Sequence, residues 1–200
     1  VGPDTRTFFT DFRYADRAAA EIDGWNVEIV SGEWLTGLAG HVSDLVPGGR
    51  VGIEDDHVTV RTERMLSEKL TGGTSLTDAG GLVEQLRRSK DAGEIAAIAA
   101  AAELTDSIYA ELFERGLVGR TEADVAGYAV GRMREHGAEP SFTPIVAAGP
   151  NGASPHAEPG PREIEPGELV VIDMGSRLDG YCSDCTRTVA TGGLAEQATE

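Results

Sequence analysis

The chain has 200 residues, of which 40% are hydrophobic, and a formal net charge of −17 at pH 7. A chain of this length can bury a substantial core in one or two domains. The acidic balance argues against a nucleic-acid surface or an anionic membrane surface as the binding partner. The sequence contains neither a signal peptide nor an apolar run of about 20 residues that could span a membrane, so a cytoplasmic protein is expected.

The first part of the chain alternates short strand candidates with helix-like stretches, a pattern typical of an α/β domain. The predicted strands are residues 7–10, 27–30 and 51–53, and the predicted helices are residues 13–21 and 58–70. Glycines between residues 72 and 81 then interrupt the pattern, so the boundary is predicted near residues 72–90, with domains of residues 1–78 and 79–200. His41 and His57 have no ligand cluster near them in the sequence and are expected to be surface residues.

Two helices are predicted at the start of the second part. Apolar spacing over residues 91–115, which includes Ile95, Ile108 and Leu112, indicates a helix that buries one face and carries no chemistry. The capping-box pattern of Thr121 and Asp124 predicts a second helix. This helix should end near Gly137, which makes His136 a solvated residue in its last turn.

A loop is predicted for residues 149–166, which are rich in proline and glycine and contain His156. Composition alone favours an exposed histidine without a function at this position. Ser154 lies two residues from His156, but the surrounding sequence lacks the pattern of a nucleophile elbow, which disfavours a serine hydrolase.

The most informative feature is a pair of aspartates that flank a tight reversal of the chain. Residues 169–173 are an apolar run ending in Asp173, residues 181–190 are rich in Thr and Val, and both segments predict strands of a hairpin. A two-residue turn at Leu178 and Asp179 would pair Asp173 with Asp184. Directly opposed Cβ atoms lie about 4.5–5.5 Å apart, where two carboxylates repel unless a cation or a shared proton intervenes.

The hairpin therefore predicts a divalent-metal site. The spacing alone leaves open two alternative arrangements in which the aspartates hold no metal. A three-residue turn with Gly180 in the left-handed conformation would shift the register by one residue and move one carboxylate to the other face. The second alternative is that one aspartate caps a turn and the other is solvated.

The two cysteines, Cys182 and Cys185, have the C-x-x-C spacing of some redox and zinc sites. In an extended strand their Cα atoms would lie about 10 Å apart, too far for a disulfide. No second cysteine pair exists to complete a zinc site, so both are expected to be ordinary strand residues.

The hairpin sequence IDMGSRLDGYCSDCTRT resembles the metal-ligand hairpin of the pita-bread metallopeptidases, whose pattern is Asp-x-Gly, a short spacer, Gly-Tyr and Asp-x-Thr-Arg-Thr. The matching residues are Asp173, Gly175, Gly180, Tyr181, Asp184, Thr186, Arg187 and Thr188. Upstream, SFTPIVAAGPNGASPH is similar to the family segment that carries a substrate-side histidine, here His156. The segments TDFRYADRAAA, LRRSKDAGEIAAIAAAAELTD and GRTEADVAGYAVGRMREHG resemble the proline-specific aminopeptidase and dipeptidase branch.

The resemblance implies an α+β pita-bread catalytic domain, incomplete in this chain, preceded by a smaller α/β domain that lacks its start. It implies a homodimeric metallo-aminopeptidase, a hydrolase that cleaves between an N-terminal residue and a following proline. Asp173 and Asp184 would hold two divalent ions, manganese or cobalt, which lower the pKa of a water and polarise the scissile carbonyl. His156 would donate a hydrogen bond to the substrate or the tetrahedral intermediate.

Other functions share most of these residues. The family's remaining ligands, one His and two Glu, lie downstream of the hairpin, so this 200-residue chain alone is expected to be an inactive fragment. An Xaa-Pro dipeptidase would share every residue named above. A creatinase-like hydrolase has the same fold without metals, which the two aspartates disfavour, and a non-catalytic pita-bread scaffold that binds a protein partner is the hypothesis from a different class.

Overall fold

The computed structural model describes residue 2 and residues 5–194. The chain forms two compact units, Val1–Ser89 and Lys90–Glu200. The outermost residues of both predicted domains, residues 1, 3, 4 and 195–200, lie outside the described part. Within the described residues, no helix is both long enough and apolar enough to cross a membrane.

The first unit alternates strands and helices, as the sequence indicates. Its elements are β1 (Thr7–Thr10), α1 (Ala15–Glu21), β2 (Asn26–Ile29), α2 (Trp34–Leu45), β3 (Arg50–Ile53), α3 (Val60–Lys69), β4 (Ser75–Asp78) and α4 (Leu82–Arg88). Strands β1 and β2 pair in parallel, as do β3 and β4. Helix α2 is not predicted from the sequence, because Gly37 and Gly40 lower its helix propensity. In the structure the helix buries Ala39 and Ser43.

The division between the units lies after Ser89, inside the boundary region of residues 72–90 that the sequence predicts. Of the glycines that interrupt the pattern, Gly72 and Gly73 lie between α3 and β4, and Gly80 and Gly81 form the tight connection between β4 and α4. Gly81 adopts the left-handed conformation at the start of α4, and the amide of Leu82 donates to the carbonyl of Ala79. A glycine-rich turn inside one unit and a linker between units have the same local sequence pattern.

The second unit packs two helices and two antiparallel sheets. Its elements are α5 (Ala92–Arg115), α6 (Glu122–Glu135), β5 (Glu139–Pro140), β6 (Ile145–Ala148), β7 (Leu169–Met174), β8 (Ser176–Leu178), β9 (Tyr181–Cys182) and β10 (Cys185–Ala190). The strand orders are β10-β7-β6 and β5-β8-β9. A short 3-10 helix, Gly149–Ala153, follows β6 inside the predicted loop.

Both predicted helices are present, and the predicted capping box of α6 is confirmed. Asp91 and Glu94 form a capping box at α5, and Thr121 and Asp124 form one at α6. The predicted apolar stripe of α5 is wrong at Ile95, which is 58% exposed. The buried face instead contains Ala101, Thr105, Ile108, Tyr109 and Leu112.

The core of the second unit lies between the two helices and one face of the β10-β7-β6 sheet. Its members include Ile108, Leu112, Val125, Met133, Val146, Val170, Ile172 and Met174. Since side chains alternate along a strand, Asp173, between Ile172 and Met174, belongs to the opposite face. Burial of one face therefore fixes which residues of β7 remain available for binding.

The hairpin turn lies one residue further along the chain than predicted. Leu178 pairs with Tyr181, which leaves Asp179 and Gly180 as the two turn residues. Their φ angles are 49° and 86°. Positive φ at both central positions is characteristic of a type I′ turn, for which Asp-Gly is a favoured dipeptide and leucine is not.

This register makes the predicted pairing of Asp173 with Asp184 wrong, because Asp173 pairs with Thr186. Moving a two-residue turn by one position changes each cross-strand partner by two residues. Side chains repeat on a strand face every two residues, so the shift preserves the face on which Asp184 is expected. A three-residue turn would have reversed that face.

Gly175 lies at the corner between β7 and β8, against the other arm of the hairpin. A Cβ atom on Gly175 would lie 1.9 Å from the carbonyl oxygen of Ser183 and 3.0 Å from Oγ of Ser141. The first contact is with backbone, which cannot rotate away. The close approach of the two arms therefore requires glycine.

We expect Gly175→Ala to lower the free energy of unfolding by about 3 kcal/mol, because the added methyl group forces the two arms apart. Gly127→Ala is the matched control, since Gly127 is an exposed position of α6 where an added Cβ would meet no atom within 4 Å. The control should raise the stability by about 0.5–1 kcal/mol through helix propensity. Urea unfolding followed by circular dichroism measures both, and equal stabilities would contradict the close approach.

Candidate active site

Asp173 lies at the centre of a row of three side chains across the β10-β7-β6 sheet. Its register partners are Thr186 on β10 and Ile145 on β6, so the three side chains share the face opposite the core. The Thr186 hydroxyl donates to Oδ1 of Asp173 at 2.8 Å. The carboxylate is half-buried and keeps its second oxygen outside this hydrogen bond. Asp173 is thereby oriented by its neighbour and available as a ligand.

Asp184 is exposed and immediately precedes β10, two residues before Thr186. Strand alternation favours the same face as Asp173, at the diagonal position whose separation is about 7–8 Å between strands. Convergence of the two carboxylates on one cation stays a prediction. Within the described residues, no third His, Cys, Asp or Glu joins them in a group whose ligand atoms lie within 4.8 Å of one another.

A cluster of buried hydroxyl groups supports the hairpin beneath Asp184. The Thr105 hydroxyl on α5 lies 2.9 Å from that of Ser176 and 2.8 Å from that of Ser183. The Ser183 hydroxyl also donates to the Ala101 carbonyl at 3.0 Å. Ser183 is the residue before Asp184, so helix α5 fixes the backbone from which this carboxylate extends.

Tyr109 joins α5 to strands β7 and β10. Its hydroxyl lies 2.8 Å from the carbonyl oxygen of Ile172 and 2.7 Å from that of Cys185, the residues adjacent to Asp173 and Asp184. Burial raises the pKa of Tyr109 well above its ordinary value, and the nearby Cys185 and Asp173 raise this pKa further. The phenol therefore remains a hydrogen-bond donor and holds the two strands in register.

His156 is exposed and lies in a turn of residues 149–160, which we call the histidine segment. It lines an open groove of about 480 Å³ together with Thr143, Pro144, Ile145, Ala157, Glu158 and Pro159. Since Ile145 is the cross-strand partner of Asp173, this groove borders the row that contains the carboxylate. The predicted metal-site face and the predicted substrate-side histidine thus meet at one strand, β6.

The donor atoms of the two aspartates suit a hard divalent cation. Asp173 and Asp184 supply carboxylate oxygens, and neither forms an ion pair with a basic side chain among the described residues. Carboxylate and water ligands favour Mg²⁺, Ca²⁺ or Mn²⁺ over softer metals. These residues therefore fit a metal of the predicted kind.

The cysteines and His136 behave as expected. Cys182 and Cys185 are both free thiols. His136 is exposed at the C-terminal cap of α6, where its Nδ1 lies 2.9 Å from the carbonyl oxygen of Arg132.

His57 is exposed as predicted, but the expectation that it has no ligand cluster nearby is wrong. Ligand atoms of Glu54, His57 and Glu84 all lie within 4.8 Å of one another at the surface of the first unit. Glu54 follows β3 and Glu84 follows β4, and the parallel pairing of these strands brings their C-terminal ends together. His41 is half-exposed, with Nε2 3.4 Å from Oε1 of Glu28.

Glu122 is the residue near the site that sequence reasoning missed. It occupies the first turn of α6, where an acidic residue usually favours the helix dipole while remaining solvated. In the structure its exposed fraction is only 1%. The capping-box pattern identifies the helix start but contains no signal that distinguishes a buried acid from a solvated one.

Comparison with known proteins identifies both units. Residues 96–200 match metallopeptidase family M24, and residues 1–89 match the creatinase/prolidase N-terminal domain. The chain belongs to metallopeptidase family M24. Membership confirms the resemblance found in the hairpin and in the segments upstream of it, and the family is metal-dependent.

Solved structures of this family confirm the fold class. The chain is 31% identical to the Xaa-Pro dipeptidase from Bacillus anthracis, with a TM-score of 0.91, and the match covers 100% of this chain and 56% of that one. It is 30% identical to the X-Pro aminopeptidase from Thermotoga maritima MSB8, with a TM-score of 0.87 and the same coverage of 100% and 56%. An α/β unit thus precedes a unit with the α+β pita-bread fold.

A curated relative gives the same result at the level of sequence. The Bacillus subtilis protein named uncharacterized peptidase YqhT is 32% identical over 201 residues, which cover 100% of this chain and 56% of the relative. The chain therefore spans little more than half the length of each of these three proteins.

Proposed function

We propose that the full-length protein carrying this chain hydrolyses the peptide bond between an N-terminal residue and a following proline. The observation that carries the proposal is the row of Ile145, Asp173 and Thr186, which joins a carboxylate on the open sheet face to the groove beside His156. The Xaa-Pro dipeptidase and X-Pro aminopeptidase that the chain resembles support the same substrate class.

Asp173 and Asp184 are proposed to hold two divalent ions, manganese or cobalt, together with residues outside this chain. When bound, such ions supply Lewis-acid polarisation of a carbonyl and a water of lowered pKa. Asp173 contributes an oxygen whose orientation Thr186 fixes, and Asp184 contributes a carboxylate from a backbone held by α5. A ligand set held in place before the metal binds requires little reorganisation.

His156 is proposed to donate a hydrogen bond to the carbonyl oxygen of the substrate as negative charge develops there. The groove offers the apolar surfaces of Pro144 and Ile145 to the peptide beside this histidine. The net charge of −17 supports a small peptide substrate rather than a nucleic acid or an anionic membrane. A homodimer is part of the same proposal on the basis of the family resemblance, and a cytoplasmic location is part of it on the basis of the sequence.

Substrate length separates the two Xaa-Pro activities. An aminopeptidase accepts a peptide that continues beyond the proline, whereas a dipeptidase requires the free carboxylate of an Xaa-Pro dipeptide. The chain resembles one solved structure of each kind at nearly equal identity, so these resemblances do not rank the two activities. As in the sequence analysis, aminopeptidase is the first hypothesis and dipeptidase the second.

The test uses metal-free full-length protein to which manganese or cobalt is returned. The substrates are an Xaa-Pro dipeptide, a longer peptide with proline second, and the same longer peptide with alanine second as the matched control. We expect release of the first residue from the longer proline peptide alone, and only with metal. Cleavage of the dipeptide alone would favour the dipeptidase, activity unaffected by chelator would favour the creatinase-like alternative, and no cleavage would favour the scaffold.

A further inference from the structure

Glu122 presents a carboxylate that is buried and saturated with hydrogen bonds. Oε1 accepts from the amide of Ala148 at 2.8 Å and from Nδ2 of Asn151 at 2.9 Å. Oε2 accepts from Nδ2 of Asn151 at 3.1 Å and from the amide of Gly160 at 3.2 Å. All of these donors are neutral amides. Burying a carboxylate is costly unless it is fully hydrogen-bonded, so these contacts have to be made together.

The donors come from both ends of the histidine segment. Ala148 ends β6 immediately before the segment, Asn151 lies in its 3-10 helix, and Gly160 ends it. The backbone at the start of α6 adds to the attachment, since the amide of Ala123 donates to the Gly160 carbonyl at 3.0 Å. The Glu122 side chain therefore holds together the two ends of the loop that carries His156.

The tip of the segment is held by contacts of its own. The amide of Ser154 donates to the Asn151 carbonyl at 3.0 Å, and the amide of Ala157 donates to the Ser154 carbonyl at 3.2 Å. These bonds shape the turn around His156 without attaching it to the sheet. The position of this turn beside the groove therefore depends on where the two ends of the histidine segment are held.

We propose that Glu122 is the positioning residue for His156, because its carboxylate joins the two ends of the histidine segment and so sets where the imidazole meets the substrate. The kinetic consequence of this inference rests on the proposed function. The attachment of the segment does not. A loop closed by charge-assisted hydrogen bonds is ordered before substrate arrives, and displacement of a catalytic group by about 1 Å can cost on the order of 10² in rate.

The chemistry of the contacts makes carboxylate the required group. Donors approach both oxygens, and a carboxylate accepts at both. In Glu122→Gln one oxygen is replaced by an NH2 group that would face N–H donors of the segment. The substitution preserves shape and volume, yet it breaks at least one attachment and adds a donor without an acceptor. Glu163→Gln is the matched control, because Glu163 is exposed and the chemical change is the same.

Hydrogen exchange on the full-length protein tests the attachment without reference to activity. In Glu122→Gln at least one of the amides of Ala148 and Gly160 should exchange about tenfold faster or more than in the unmodified protein, the factor for a lost hydrogen bond to a charged group. Glu163→Gln should leave these rates unchanged. Unaltered exchange in Glu122→Gln overturns the proposal. If Glu122→Gln does not fold, Asn151→Ala replaces it, since it removes two of the four contacts and should accelerate the same amides.

Kinetics on Xaa-Pro peptides test whether the attachment acts through His156. Glu122→Gln should lower kcat about 10–100-fold, with KM and metal content unchanged. In a His156→Ala background the same substitution should cost less than about twofold, because the group that it misplaces is absent. Full additivity of the two losses overturns the proposal. If the unmodified protein cleaves no Xaa-Pro peptide, the proposed function fails, and the exchange comparison alone decides whether Glu122 fixes the segment.

Discussion

Asp184→Ala in the full-length protein should abolish metal-dependent Xaa-Pro cleavage, with a loss of about 10³-fold or more. A bound Lewis acid contributes several kcal/mol to the transition state, and removing one carboxylate from a shared site costs metal affinity as well. Asp184 is exposed and precedes β10, so its replacement leaves no cavity and no unpaired buried group. Stability without metal should therefore change little.

Metal analysis and kinetics on the same preparation measure this effect. The matched control is Asp106→Ala, which removes an exposed carboxylate on α5 whose only described ion pair is with Arg187 at 3.5 Å. Exposed pairs of this kind contribute little, so the control should keep its metal and its activity. An Asp184→Ala protein with a full complement of metal and normal turnover would remove Asp184 from the site.

His156→Ala should separate a substrate contact from a metal ligand. We expect near-normal metal content together with a fall in kcat on the order of 10²–10³, the scale for loss of one donor to a developing oxyanion. The side chain is exposed in a turn, so the free energy of unfolding should hardly change.

The matched control for this variant is His136→Ala, which removes an exposed histidine at the end of α6 that does not line the groove beside His156. Turnover should remain normal in the control. Loss of metal from His156→Ala would make His156 a ligand, and unaltered turnover would leave it an exposed loop histidine without a catalytic role.

Local sequence determined several features because the relevant interactions span only a few residues. The capping boxes of Asp91 with Glu94 and of Thr121 with Asp124 fix the starts of α5 and α6. Alternation around Asp173 fixes the free face of β7. The motif of the hairpin was sufficient to indicate the family, and the match of residues 96–200 confirms it.

The turn of the hairpin shows where local prediction failed. Two candidate two-residue turns overlap, Leu178 with Asp179 and Asp179 with Gly180, and the strand pairing shows that the second one forms. The backbone preference of Asp-Gly for positive φ could have corrected the prediction, since leucine is unfavourable in a type I′ turn. The predicted and the observed registers differ by two residues, which is one full repeat of strand alternation. The face expected for Asp184 is therefore the same in both, although its predicted cross-strand partner was wrong.

Other features depend on residues that are distant in the chain, and only the tertiary structure decided them. Glu122 is an ordinary first-turn acid until β6 and the histidine segment fold over it. Glu84 reaches His57 only because β3 and β4 pair in parallel. The row that joins Ile145 to Asp173 and Thr186 is set by strand pairing. The sequence by itself determined caps, strand faces and the family motif, whereas burial and cross-strand neighbours required the packed chain, because they depend on contacts that local propensity does not encode.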